Sequence, residues 1–290
     1  MYKKADSHSI NPPNKIGATS LANLALDFDG VICNSVEECL RTSLMSWISL
    51  SKDLDFAHAF QVLGDSDASA RLRPHFYRLR PWCSTGSDFV VLQALVSQTP
   101  DPERQELSGR KFAKYRDACP PDRIKAYREV FYRGREFLCS SHGAWWMEGN
   151  NPYPWVEGNL QSLASNPQVI ILSTKKAGFI SAILRAWGVE WPSGRIYEAG
   201  PGVAKSHVLQ ELYRVSRNYR GNWILIDDFL PHLQEAQHLP FIRGIHAQWG
   251  YTLGVQTEPT IPAISHQEFI KFIDPYLAGP DLTRRHTPPG

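Results

Sequence analysis

Three short apolar runs, each ending in side chains able to do chemistry, restrict this chain to few folds. Leu21-Ala22-Asn23-Leu24-Ala25-Leu26 ends in Asp27-Phe28-Asp29-Gly30-Val31. Gln168-Val169-Ile170-Ile171-Leu172 ends in Ser173-Thr174-Lys175-Lys176, and Asn222-Trp223-Ile224-Leu225-Ile226 ends in Asp227-Asp228. Runs of this length, with little polar alternation, read as strands buried on both faces of a parallel sheet. Helical spacing separates them: 156–165, then Ile180, Ile183, Leu184 and Trp187, then Val208, Leu209, Leu212 and Val215, then 230–239 and 267–276. A short strand is predicted at 195–197 and a further strand at 241–247. Strands alternating with helices predict an α/β fold with helices on both sheet faces. Such open sheets bind ligands at the carboxyl ends of their strands, where all three polar clusters fall.

Asp27 and Asp29 are the sharpest of these signals. In a strand, residues two apart share a face, and Gly30 permits a sharp turn after them. Two adjacent carboxylates repel and raise each other's pKa unless a cation compensates, and Mg²⁺ is the usual hard cation for oxygen ligands. From the residues alone, a structural strand end followed by an Asp-Gly turn is the competing reading.

Between the first and second apolar runs the pattern is helical. Val36, Leu40, Leu44, Trp47 and Ile48 form one stripe, and Phe89, Leu92, Leu95 and Val96 form another. Ile124, Tyr127, Val130, Phe131, Phe137 and Leu138 form a third, with a break expected near Gly134. Two Arg-aromatic stretches, 71–80 and 123–135, could bind an anionic tail or single-stranded nucleic acid. A solvated helix face is the reading preferred for both, so nucleic acid is not expected as a partner. Trp145, Trp146, Tyr153 and Trp155 read as packing around a hinge.

Lys and Arg number 31 against 29 Asp and Glu, so no strong global field points to nucleic acid or membrane. No apolar run reaches the roughly 20 residues of a membrane helix. The five cysteines include no pair of Cys-x-x-Cys motifs, which fits a reduced, cytoplasmic setting without a zinc site. Residues 1–20 read as a flexible leader. A plastid-targeting role for it is weakly supported, since it has no arginine and contains Asp6. Residues 279–290 read as a disordered tail.

Taken together, the clusters resemble the haloacid dehalogenase (HAD) superfamily, in its C1-capped phosphatase-like subgroup. Asp27-Phe28-Asp29-Gly30-Val31 resembles motif I and Ile171-Leu172-Ser173-Thr174-Lys175 resembles motif II. Lys205, after Gly200-Pro201-Gly202-Val203-Ala204, resembles the motif III lysine, and Ile226-Asp227-Asp228 resembles motif IV. Tyr153-Pro154-Trp155-Val156-Glu157 is similar to the segment re-entering the core. Trp249-Gly250-Tyr251 is similar to the closing strand and turn. The stretch 172–251 is also loosely similar to HAD-like proteins of photosynthetic organisms.

The resemblance implies a Rossmann-like parallel-sheet core, residues 21–33 and 152–278, with an inserted, mainly α-helical C1 cap at 34–151. It implies a Mg²⁺-dependent phosphatase acting on a small phosphorylated metabolite through an aspartyl-phosphate. Asp27 would be the nucleophile and Asp29 the general acid and base. Ser173, Thr174 and Lys205 would bind the phosphoryl group, with Lys175 and Lys176 as further candidates. The metal would be held by Asp27, the Asp29 carbonyl and Asp228, with Asp227 acting through water. Carbon–halogen dehalogenases generally lack an aspartate at the place of Asp29, which favours phosphatase chemistry. One departure is His232, where many members carry an acid. A phosphotransferase or phosphomutase on the same core, or a non-catalytic binding protein, are the alternatives, and the oligomeric state stays open.

Overall fold

The computed structural model describes residues 21–64, 68–99, 107–200, 202–252 and 258–277. The predicted leader (1–20) and tail (279–290) lie outside the described residues. No helix among the described residues is long and apolar enough to cross a membrane. The five cysteines are all free.

Alternation within the apolar runs builds a sheet that is covered on both sides. Six parallel strands lie in the order β5-β4-β1-β6-β7-β8: β1 (Asn23–Leu26), β4 (Val169–Ser173), β5 (Ile196–Glu198), β6 (Trp223–Asp227), β7 (Ile242–Ala247) and β8 (Ala263–Ile264). Leu24, Leu26, Val169, Ile171 and Ile226 face one side. There they meet Leu160 and Leu163 of α8 (Leu160–Ser165), Ile180 and Ile183 of α9 (Ala177–Ala186), and Phe269 and Ile273 of α12 (His266–Leu277). Ala25, Ile170, Leu172, Trp223 and Leu225 face the other side, against Leu209 and Leu212 of α10 (Lys205–Val215) and Leu233 and Ala236 of α11 (Leu230–Ala236). The period-two alternation thus assigns each strand residue to one of two helical layers. β1 is central, with Leu26 opposite both Ile171 and Ile226, so its end lies beside the ends of β4 and β6.

Beyond β1 the chain leaves the sheet through β2 (Cys33–Asn34), which pairs antiparallel with β3 (Asn151–Pro152). Between these two strands run α1 (Val36–Lys52), α2 (Phe56–Gly64), α3 (Ala68–Leu79), α4 (Gly86–Gln98), α5 (Gly109–Asp117), α6 (Pro121–Ser141) and α7 (Gly143–Met147). This helical insertion has a core of its own, in which Phe76, Phe89, Phe112, Phe131 and Leu92 are buried together.

Three local expectations are corrected. α6 runs unbroken through Gly134. The glycine is there for space: an added Cβ would lie 2.7 Å from Ser46 Oγ and 3.1 Å from Met45 Cε, so it lets α6 approach α1 closely. The helix expected over 156–165 is two pieces, a 3₁₀ turn at Pro154–Val156 and then α8, separated by Gly158 at φ +75°. Trp249-Gly250-Tyr251 forms turns rather than strand, and the sheet closes instead at β8, whose two residues are too few to show a period.

The Gly134 contact yields a stability test. Gly134→Val is expected to lower the urea unfolding free energy by about 2 kcal/mol through overpacking, against the small helix-propensity gain of losing a glycine. An unchanged or higher midpoint would show that α1 and α6 part without cost.

Candidate active site

Asp27 continues the line of β1, its backbone N–H donating to the Ile226 carbonyl at 2.9 Å. Gly30 then turns at φ +89°, in the left-handed region that side chains disfavour. A Cβ here would lie 2.1 Å from Asp228 Oδ2, and one at Gly250 would lie 2.4 Å from Asp228 Cβ. The two glycines therefore flank Asp228 and let it approach the turn after β1. That turn is held from below. The Val31 carbonyl accepts the indole N–H of Trp155 at 2.9 Å and that of Trp249 at 3.0 Å.

Lys205, the first residue of α10, is buried between two carboxylates. Its ammonium lies 2.9 Å from Asp27 Oδ2 and 2.7 Å from Asp227 Oδ2. Asp227 also accepts the Phe229 N–H at 2.9 Å and has His232 Nδ1 at 3.0 Å. Burial would raise the Asp227 carboxyl, but Lys205 and His232 overcome it and hold the group well below the usual range. For Asp27 burial prevails over Lys205 and leaves the carboxyl raised. Asp228 is raised to about 8, by burial and then by the charges of Asp227 and Asp27.

A second set of charges forms around Lys175, whose ammonium is fully buried 2.9 Å from Asp29 Oδ1 and 3.6 Å from Glu38 Oε2. Glu38, in the first turn of α1, accepts a forked bond from Arg135 of α6, both contacts at 2.8 Å. The Thr42 hydroxyl at 2.8 Å, the Trp146 indole at 3.1 Å and the Cys39 thiol at 3.7 Å also donate to it. Burial opposes ionisation of Glu38, yet Arg135 and Lys175 pull its carboxyl down to about 2. Burial also opposes ionisation of Asp29, and here Lys175 and then Arg135 lower the carboxyl.

Both sets of charges border one cavity of about 50 Å³, room for a few waters. Asp27, Asp29, Thr174, Lys175 and Asp228 line it from the core, and Arg80, Phe89, Phe131 and Arg135 line it from the insertion. Of the residues expected at the site, Asp27, Asp29, Thr174 and Asp228 therefore reach one cavity, while Lys205 and Asp227 support it from the sheet side. Ser173 is buried at the end of β4, where its hydroxyl accepts the Lys175 N–H at 3.3 Å. Lys175 itself is taken up by Asp29 and Glu38, and exposed Lys176 pairs with Glu136 at 2.8 Å. Both lysines thus carry a carboxylate partner in this structure. The Arg-aromatic stretches also need correction at their ends: Arg80 and Arg135 are buried, while Arg73, Arg78, Arg123 and Arg133 stay exposed as expected. Glu38 went unnoticed in the sequence, though Thr42, Met45 and Ser46 on its side of α1 mark a face turned away from solvent.

Among the described residues one donor set could hold a metal by proximity: single atoms of Asp27, Asp227 and His232 lie within 4.8 Å of one another. Lys205 already sits between two of these carboxylates, so that position has its cation. Asp228 is different. It is buried, it accepts the Tyr251 N–H at 2.6 Å, and it has no ion-pair partner among the described residues.

No protein-family model and no curated protein matches the sequence. Solved structures do match in fold. A predicted phosphoglycolate phosphatase from Haemophilus somnus is 17% identical with a TM-score of 0.51, over 89% of this chain and 98% of that one. A hydrolase from Pseudomonas syringae is 10% identical with a TM-score of 0.51, over 88% and 99%. A predicted phosphatase from Clostridium acetobutylicum is 14% identical with a TM-score of 0.50, over 88% and 99%. The fold is that of the haloacid dehalogenase-like hydrolases.

The Glu38 shell predicts an acid-side stability loss. A carboxyl lowered from 4.5 to about 2 contributes stability that is present above pH 4.5 and lost as pH falls toward 2. Glu38→Gln is expected to cost about 3 kcal/mol at pH 7, because Arg135 and Lys175 lose a buried partner. The gap to wild type should narrow at pH 3 in urea melts. Equal stability of both proteins at pH 7 would refute this account of the network.

Proposed function

We propose that this chain is a Mg²⁺-dependent phosphohydrolase of a small phosphorylated metabolite, with residues 34–151 acting as a cap over the core. The observation that carries the reading is the placement of Asp27 and Asp29 at the end of the central strand, facing one cavity, with Lys205 bonded to Asp27. Asp27 is the nucleophile: its carboxylate attacks phosphorus, and the aspartyl-phosphate divides one displacement into two. Lys205 orients that carboxylate and offsets charge on the phosphoryl oxygens. Thr174, at the cavity wall, and Ser173, at the strand end, are the hydroxyls nearest that role.

Asp29 takes the proton work. Held ionised by Lys175, it is ready as the base that activates water in the second step. To donate in the first step it must first gain a proton, and an arriving phosphate dianion raises its carboxyl toward that state.

The residues fit a divalent cation between Asp27 and Asp228. Both are buried carboxylates raised chiefly by burial, with the charge of Asp27 adding to the rise at Asp228, and of the two only Asp27 pairs with Lys205. Asp27, Asp228 and the Asp29 carbonyl would hold Mg²⁺, with Asp227 and His232 behind them. When bound, the ion supplies charge neutralisation that lets an anionic nucleophile approach an anionic phosphate.

Phosphate release from a panel of phosphorylated metabolites and one aryl phosphate tests this reading. Release is expected with Mg²⁺, is lost in chelator, and falls roughly a thousandfold or more in Asp27→Asn. Release that persists in Asp27→Asn would remove the covalent mechanism, and no release from folded protein with any compound would remove the hydrolase reading.

A further inference from the structure

Opposite charges compensate nearly every buried ionic group around the cavity. Lys205 meets Asp27 and Asp227, Lys175 meets Asp29 and Glu38, and Arg135 meets Glu38. Arg80 is the cation left over. It is 8% exposed and lines the cavity from the insertion, yet no carboxylate among the described residues forms an ion pair with it. A guanidinium carries five N–H donors. The hydrogen bond found for Arg80 runs from Nη1 to the Cys83 carbonyl at 2.9 Å, and its Nε is buried without a partner.

Its surroundings hold the group rather than neutralise it. The guanidinium carbon lies 3.9 Å from the Tyr251 ring centroid and 4.8 Å from that of Phe89. Stacking on aromatic rings fixes the plane and leaves the donors at its edge, the geometry that binds carboxylate or phosphate with two bonds. Leaving a buried charge without a counter-ion is costly, so the missing anion is best supplied by a ligand.

We infer that Arg80 is a specificity-determining residue that binds a second anionic group of the substrate, beyond the phosphoryl group at Asp27. The substrate class is a small phosphomonoester bearing a carboxylate or a second phosphate a few bonds away. The inference rests on the phosphohydrolase reading for the position of the phosphoryl end, and Arg80 supplies the other end. Asp228 lies within electrostatic influence of Arg80 but outside ion-pair distance, so it does not satisfy the guanidinium.

Calorimetric binding to the full chain with Mg²⁺ tests this without requiring turnover. The probes are 3-phosphonopropionate, ethane-1,2-diphosphonate and butylphosphonate, which share a phosphonate and differ in the tail. Wild type is expected to bind a charged-tail probe at least roughly tenfold more tightly than butylphosphonate. Arg80→Met should abolish that preference, and Arg80→Lys, which keeps the charge without the fork, should retain part of it. Equal wild-type affinity for all three probes, or an equal loss for all three in Arg80→Met, overturns the inference and leaves Arg80 as packing. If Arg80→Met does not fold, a preference undiminished in Arg80→Lys also overturns it. Selective binding without phosphate release from any compound would retain Arg80's role and sink the hydrolase. Release without selectivity would do the reverse.

Discussion

The shared ammonium of Lys205 is the interaction on which the rest of the site depends. Asp27 and Asp227 end adjacent strands, because β1 pairs with β6, and both are buried. Two such carboxylates brought together in a low-dielectric edge would repel and protonate. Placing the first residue of α10 between them lets the neighbouring strand ends both carry acid. It also leaves Asp228, the next residue, without an ion-pair partner among the described residues, and its carboxyl is raised rather than lowered.

Lys175 does comparable work at the seam between the sheet and the insertion. Its partners come from two bodies: Asp29 belongs to the turn after β1, and Glu38 to the first turn of α1. Through Glu38 the charge on Asp29 is connected to Arg135, a full helix away in sequence from anything in the core. A displacement of α6 therefore changes the field at Asp29 without touching it. Asp29 and the packing of α6 are electrostatically one unit.

The fold was largely legible because its signals are local and periodic. Apolar runs such as 169–172 announce buried strands, and the polar residues at their ends announce the sheet edge. The same logic placed Asp27, Asp29, Thr174 and Asp228 near one another, since residues at the carboxyl ends of neighbouring parallel strands must converge. What escaped was set by tertiary contact. Gly134 looked like a break because sequence does not show that Ser46 lies opposite it. Arg80 and Arg135 sit in stretches whose other arginines are solvated, so composition alone could not separate the buried ends from the exposed middle. Glu38 sat beside Glu37, and only the packing of α1 tells the two apart. His232 stood out only as a departure from an acid, and its contact with Asp227 rather than Asp228 came from the geometry of α11.

The Val31 carbonyl has two lone pairs, and an indole from each side occupies them. Trp155 follows the return from the insertion, and Trp249 follows β7, so both later segments are referred to a single atom of the turn after Asp29. That atom is a fixed datum. Replacement of the far wall, helix by helix, would reshape the cavity while the turn that carries Asp29 kept its place.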